Sequence, residues 1–298
     1  MQISQKPIYI NPFTDFGFKL LFGTEANKDL LIDFLNQLLK EEAGTIIHIS
    51  YLNKEQKGKN KEARTSVYDI YCENQEGERF IVEIQKAKQD FFMDRMLYYI
   101  TFPIQEQAKK GEWNYELKAV YSIAILDFTL PTSDKNDQQV VTTGKLYDIS
   151  RNKIMSNKLT FYYLEMPKFG KEWQECHTHF EKWLYLFKNL NQLHEMPVGL
   201  VDRKLKKFLK EAKIANLNNE EYTMYEESLK RYNDLKNSLD TAREEGREEG
   251  REEGREEGRE EGKKERNIEI ARNLKKAGIA LEVIISSTGL SKKEIETL

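Results

Sequence analysis

The chain has 298 residues, of which 33% are charged and 39% hydrophobic, enough for a buried core and more than one domain. No apolar run approaches the ~20 residues of a membrane-spanning helix, and Met1-Gln2-Ile3-Ser4-Gln5-Lys6 lacks the apolar stretch of a signal peptide, so a cytoplasmic location is expected. Two cysteines, Cys72 and Cys176, exclude a disulfide framework, and a net charge of −3 provides no bulk attraction for nucleic acid.

Residues 14–41 carry Phe18, Leu21 and Phe22, then Leu30, Leu31, Phe34, Leu35 and Leu38, at helical spacing. Thr14 suits the N-cap, and Gly23 is expected to divide the segment into two helices. A short strand is expected over 46–53. The loop after it is rich in cations: Lys54, Lys57, Lys59, Lys61 and Arg64. A second basic stretch holds Arg203, Lys204, Lys206, Lys207, Lys210 and Lys213. Either can neutralise phosphates, and either can be ordinary solvated surface. Residues 68–72 and 80–85 read as two strands joined by the polar loop 73–79, whose Gly77 suits a tight turn. Residues 90–109 predict a helix with Phe91, Met96, Tyr99, Ile100 and Ile104 among its apolar positions and a kink at Pro103. Residues 117–128 are a strand too hydrophobic for a sheet edge. Helix, three strands, helix, strand predicts a mixed sheet with helices on its faces. The first three strands run antiparallel, and the fourth is reached by a crossover.

Residues 138–149 and 158–165 read as further strands, 172–193 and 198–215 as amphipathic helices, and 220–239 as a more polar one. Arg-Glu-Glu-Gly then repeats five times over 243–262, with 5 Arg and 10 Glu, which leaves the remainder of the chain close to neutral. Each glycine costs a helix ~1 kcal/mol, and residues four apart carry like charge. The repeat therefore reads as a polar spacer or nascent helix; a coiled coil would need an apolar seam. Residues 267–298 regain periodicity through Ile268, Ile270, Ala271 and Leu274, then Leu281, Val283, Ile284 and Ile285. Ser291 and Glu294 have capping-box spacing, and helix, short helix, turn, helix is helix-turn-helix-like. So small a unit is expected to self-associate or dock.

The chemistry concentrates in the hairpin. Strand alternation places Glu83 and Gln85 on one face with Ile81. If Gln75, Glu76 and Gly77 close the turn, Asp69 pairs directly opposite Glu83; a two-residue Glu76-Gly77 turn would move it away. Two carboxylates ~5 Å apart repel by roughly 3 kcal/mol at an effective dielectric of about 20. Glu83 also interrupts the apolar run Phe80, Ile81, Val82, Ile84. Magnesium, which favours one or two carboxylates plus water and substrate phosphate, resolves both problems; a solvated strand face carrying an acid pair is the alternative. Cys176-His177-Thr178-His179, with His194 farther on, puts Cys176 and His179 on one helix face, but no second cysteine pair completes a zinc site. His48 lacks a recognisable serine or cysteine partner for triad hydrolysis.

The predicted α-β-β-β-α-β order, with Asp69 on the second strand and Glu83-Ile84-Gln85 on the third, resembles the common core of the PD-(D/E)XK nucleases. More narrowly, the chain is similar to the recombination-promoting nuclease and transposase family of that superfamily. The similarity lies in Asn11-Pro12-Phe13-Thr14-Asp15-Phe16-Gly17-Phe18-Lys19-Leu20-Leu21-Phe22-Gly23, in Arg64 with Tyr68-Asp69-Ile70, and in Phe80-Ile81-Val82-Glu83-Ile84-Gln85. It continues in Gln89, Phe92, Arg95 and Tyr99, then Ser122-Ile123-Ala124-Ile125-Leu126-Asp127-Phe128 and Phe161-Tyr162-Tyr163-Leu164-Glu165-Met166. It covers roughly residues 8–240, and the charged repeat with a small helical tail is a familiar ending.

The resemblance implies an α/β fold, a restriction-endonuclease-like mixed sheet flanked by helices with an α-helical C-terminal extension. The implied domains are a nuclease-like core over 1–170, a helical extension over 171–240, a repeat linker over 241–264 and a helix-turn-helix-like tail over 265–298. It further implies endonucleolytic cleavage of DNA phosphodiesters with Mg²⁺, for which Mn²⁺ substitutes, in recombination, transposition or phage defence. Asp69, Glu83 and the Ile84 carbonyl would be the metal ligands, with Asp15 a further candidate. Gln85 stands where the superfamily usually has lysine; it can orient water as a catalytic residue but carries no charge. Arg95 is then expected to supply the cation, because Lys86 and Lys88 alternate onto the opposite face if the strand continues. Lys19, Lys59, Lys61 and Arg64 are expected to meet nucleic acid. DNA is the expected partner, with homo-oligomerisation through the C-terminal region and no membrane. The competing expectation is a catalytically weakened DNA-binding or assembly module that keeps the fold.

Overall fold

The chain enters through a motif that builds its own helix start. Asn11 Oδ1 accepts the Phe13 N–H at 2.9 Å, and the Thr14 hydroxyl donates to the Asn11 carbonyl at 2.7 Å. Thr14 Oγ1 in turn accepts the Gly17 N–H at 3.0 Å, capping α1 (Asp15–Phe22). A Cβ on Gly17 would lie 2.4 Å from the Asn11 carbonyl oxygen, so no other residue fits without moving backbone. Gly17→Ala is expected to cost about 1–3 kcal/mol by overpacking. A lowered midpoint of urea unfolding, followed by fluorescence of the buried Trp183, checks it. The structure, a computed structural model, describes residues 6–40, 42–53, 55–56, 66–108, 113–131 and 137–298. Lys54, Lys57, Lys59, Lys61 and Arg64 lie outside the described residues.

Gly23 ends α1, and α2 (Lys28–Leu38) follows, as the spacing predicts. Next come β1 (Ile49–Tyr51), the two-residue strands β2 (Glu55–Gln56) and β3 (Ser66–Val67), β4 (Ile70–Asn74) and β5 (Arg79–Gln85). α3 (Phe92–Glu106) leads to β6 (Val120–Leu126), β7 (Val141–Asp148) and β8 (Lys153–Glu165). One six-stranded sheet has the order β1-β4-β5-β6-β8-β7, while β2 and β3 pair with each other. β1, β4 and β5 are antiparallel, and β6 joins β5 in parallel after the α3 crossover, as expected. β8 is parallel to β6, and β7 runs antiparallel at the edge. β8 starts five residues before the expected 158, because its first residues pair with the end of β7, beyond β6.

The expected helix over 172–193 is instead a short turn, Trp173–Glu175, followed by α4 (His179–Asn189). Thr178 in extended geometry starts a new helix, its hydroxyl and Glu181 forming a reciprocal capping box. The expected helix over 198–215 shortens to α5 (Arg203–Glu211), because Gly199 is left-handed (φ +78°) and Asp202 caps the start. On one face of the sheet a large apolar cluster joins Phe18, Phe22, Leu31 and Phe34 to Phe80, Val82, Ile123 and Trp183. On the other face α3 packs Phe92 and Met96 against Ala124, Leu126 and Tyr163.

α6 (Asn219–Lys276) runs unbroken through the Arg-Glu-Glu-Gly repeat, where composition alone predicts a spacer or nascent helix. Tyr225 and Tyr232 anchor its first turns in the main core, and Ser228 is buried beside them. The costly helix nucleus is thus already formed, and arginine and glutamate propagate it past each glycine. The chain divides into two compact units, Met1–Lys236 and Asn237–Leu298. In the second, α7 (Leu281–Thr288) and α8 (Lys292–Glu296) fold back on the end of α6 around Ala271, Ile284, Leu290 and Ile295. The Ser291–Glu294 capping box forms as expected. Among the described residues no helix is long and apolar enough to cross a membrane.

Candidate active site

The hairpin closes through a three-residue loop. The Asn74 N–H donates to the Glu78 carbonyl at 3.0 Å, and Asn74 Oδ1 accepts the N–H groups of Glu76 and Glu78 at 3.0 and 2.9 Å. Gly77 takes φ +78°, which glycine adopts without penalty. The register Ile70↔Val82, Tyr71↔Ile81, Cys72↔Phe80 extends to put Asp69 opposite Glu83. The alternative two-residue turn is excluded by this pairing.

Phe80, Val82 and Ile84 point into the main core, so Ile81, Glu83 and Gln85 face α3. Tyr68, Tyr71, Tyr99 and Leu52 gather around Ile81 and dry that flank. Glu83 is 8% exposed, and the Asp69 side chain 17%. Each acid takes a backbone donor from the opposing strand: Ile84 N–H to Asp69 Oδ2 at 2.9 Å, and Asp69 N–H to Glu83 Oε1 at 3.3 Å. Those bonds favour the charged forms, but burial outweighs them. Desolvation pushes Asp69 above the usual carboxylate range, and desolvation together with the Asp69 charge pushes Glu83 up to about 8.

Lys19 on α1 reaches Asp69 Oδ1 at 3.7 Å. Asp15 pairs with Lys86 at 2.9 Å. β5 stops at Gln85, so Lys86 leaves the strand and turns toward α1. Arg95 on α3 makes no ion pair with Glu83, yet its charge opposes the upward shift there. Its Nη2 donates to Gln85 Oε1 at 2.6 Å, and its Nη1 to Gln89. Gln85 Nε2 is spent on the Ala87 carbonyl at 2.9 Å, so its amide addresses Arg95 and its own chain. Gln89 and Tyr99 acquire roles that strand alternation could not assign; helical spacing from Arg95 carries the Tyr99 signal.

The donor set suits a hard divalent cation. Two facing carboxylates are held by backbone donors, and Glu83 Oε2 has no hydrogen bond among the described residues. The described residues contain no group of three His, Cys, Asp or Glu placed to hold a metal ion. What fits is therefore a cation that keeps much of its water, as magnesium does, rather than one needing a full protein cage.

The other candidates lie apart. Cys176 donates to the Glu172 carbonyl at 3.3 Å ahead of α4, and His179 Nε2 meets Asp33 at 2.7 Å. The two do not share one helix, contrary to the sequence reading, because Thr178 caps α4 between them. His48, the residue before β1, does have a serine neighbour two positions on, Ser50 Oγ at 3.2 Å. That pair is exposed, and no acid among the described residues orients it. Lys204 and Lys207 are engaged by Asp29 at 2.7 and 2.5 Å.

A mixed sheet with antiparallel and parallel neighbours, flanked by helices and carrying Glu83 on β5 opposite Asp69, which immediately precedes β4 because that strand begins at Ile70 and not at the expected 68, is the PD-(D/E)XK class of fold. The chain belongs to the PD-(D/E)XK nuclease family transposases, whose pattern it matches over residues 12–242. No curated protein and no solved structure matches it.

Proposed function

We propose that this chain is a metal-dependent DNA endonuclease that hydrolyses phosphodiester bonds in recombination, transposition or phage defence. The observation that carries the proposal is the mutually facing pair of half-buried Asp69 and buried Glu83. Asp69, Glu83 and the Ile84 carbonyl would hold Mg²⁺ or Mn²⁺, with Asp15 as an outlying carboxylate. A bound cation supplies charge neutralisation at the scissile phosphate and a more acidic water. Around it, Lys19 meets the incoming phosphate, Arg95 supplies the charge that Gln85 lacks, and the tyrosines near Ile81 exclude water. Lys59, Lys61 and Arg64, which lie outside the described residues, are proposed as further phosphate contacts on their sequence position alone. Purified protein with Mg²⁺ is expected to nick or cut supercoiled DNA, and EDTA to stop it. Cleavage that persists in EDTA refutes metal dependence, and no cleavage with either metal refutes the activity.

A second reading, a DNA-binding or assembly module, is favoured by Gln85, whose amide is committed at both ends. It requires salt-sensitive DNA binding indifferent to Asp69 and Glu83, and no metal uptake at the hairpin. We also assign self-association to residues 263–298. There Ile279 and Val283 are exposed, at 42% and 50%, beside a small core. Truncation near Asp240 should reduce the oligomer measured by light scattering; an unchanged mass refutes this.

A further inference from the structure

Arg95 is held more tightly than an exposed helix cation needs to be. Gln85 and Gln89 each take one of its terminal nitrogens. Its guanidinium lies over the rings of Phe92 and Tyr99, with 5.3 and 5.9 Å to the centroids. Phe92, Arg95 and Tyr99 are spaced three and four apart, so one face of α3 presents all three. Ring stacking and two amide acceptors fix both the plane and the rotation of a group that is usually mobile.

The clamp leaves donors over. A guanidinium has five N–H bonds, of which the two amides take two. The Arg95 Nε is buried and has no acceptor. Buried donors are nearly always paired, so an orphan Nε, with a spare N–H on each terminal nitrogen, leaves this guanidinium able to take a further acceptor. Neither acid takes it, since Arg95 forms no ion pair with Glu83 or Asp69 among the described residues. A phosphate oxygen suits the vacant fork, because guanidinium recognises phosphate through paired, directional N–H bonds.

We infer that Gln85 and Gln89 are positioning residues that hold Arg95 as the phosphate-binding cation of the Asp69–Glu83 site, replacing a charge on the strand by one relayed from α3. The inference rests on the nuclease reading. Gln85 acts through Arg95 and does not itself address water or substrate. Truncating Gln85 should therefore loosen the cation, and truncating it when Arg95 is already absent should do nothing more.

The test uses the full chain with Arg95→Ala, Gln85→Ala, Gln89→Ala and Gln85→Ala/Arg95→Ala. Arg95→Ala is expected to lower kcat for DNA cleavage about 10²–10³-fold, as loss of a preorganised donor does. Gln85→Ala should lower it about tenfold, and the double variant should match Arg95→Ala alone. Added guanidinium ion should restore part of the Arg95→Ala rate, but not that of the double variant. A readout free of catalysis is the Arg95 Nε–H resonance of ¹⁵N-labelled protein without metal or DNA. Its exchange with water should be slow in the wild type and fast in Gln85→Ala and Gln89→Ala. Multiplying rate losses, or an unchanged Nε–H exchange in Gln85→Ala, overturns this inference while cleavage through Asp69 and Glu83 still supports the nuclease. A wild-type chain that never cuts overturns both.

Discussion

Asp69→Ala and Glu83→Ala are each expected to reduce Mg²⁺-dependent cleavage of supercoiled DNA by at least about 10³-fold, equivalent to roughly 4 kcal/mol of lost transition-state stabilisation. The size follows from geometry. Among the described residues no group of three His, Cys, Asp or Glu is placed to share a cation, and the outlying carboxylate Asp15 is paired with Lys86. The double variant should be little worse than either single one, because residues that act as a unit lose their effect together. Asp69→Asn and Glu83→Gln are the sharper controls. Each retains an oxygen to accept the Ile84 or Asp69 N–H, so the hairpin persists while the charge goes. If Asp69→Asn or Glu83→Gln cuts at the wild-type rate, the acid pair is not the site.

Much of this was legible because strand chemistry is periodic. Alternation alone puts Glu83 and Gln85 on one face; the sequence leaves the register open between a three-residue and a two-residue turn, and the Asn74 side chain with left-handed Gly77 settles it in the fold. The early helices could be placed because Thr14 and Gly23 punctuate them. What escaped was set by side chains acting at a distance or against the local pattern. Thr178 looks like one more polar residue in an amphipathic run until its hydroxyl and Glu181 cap a new helix. The Arg-Glu-Glu-Gly repeat reads as a spacer or nascent helix by propensity alone, which does not register that Tyr225 and Tyr232 have already nucleated it. The family resemblance puts Gln85 in the lysine position, where an amide can orient water. Its partner lies ten residues on, across a turn and on another element, and no spacing rule links the two.

The metal-free protein is expected to lose stability as pH rises from about 5 to about 8, and a divalent cation to restore it. Glu83 has an ordinary value of 4.5 and is pushed up to about 8 by burial and by Asp69. Below 4.5 folded and unfolded chains both carry the proton. Inside the window only the folded chain keeps it, so the unfolded state binds fewer protons and unfolding becomes easier with rising pH. Above the folded value both forms are ionised and the loss is complete. Asp69 is shifted the same way and adds to the slope. The combined loss is on the order of 3 kcal/mol, taking about 1.4 kcal/mol per unit and discounting for the pair's coupling. Asp29 and Glu181, held below the carboxylate range by lysines, act only at lower pH, whereas Asp127 shares the upward shift. The informative quantity is therefore the difference between wild type and Glu83→Gln in urea unfolding, measured at pH 5 and pH 8. Glu83→Gln should be the more stable protein at pH 8 without metal, and the wild type should gain more from Mn²⁺ at pH 8 than at pH 5, since protons and metal compete for the same oxygens. A wild type whose stability tracks Glu83→Gln across the window, with or without Mn²⁺, would show that the pair carries no stored repulsion. The physical reason for placing a metal between Asp69 and Glu83 would then be gone.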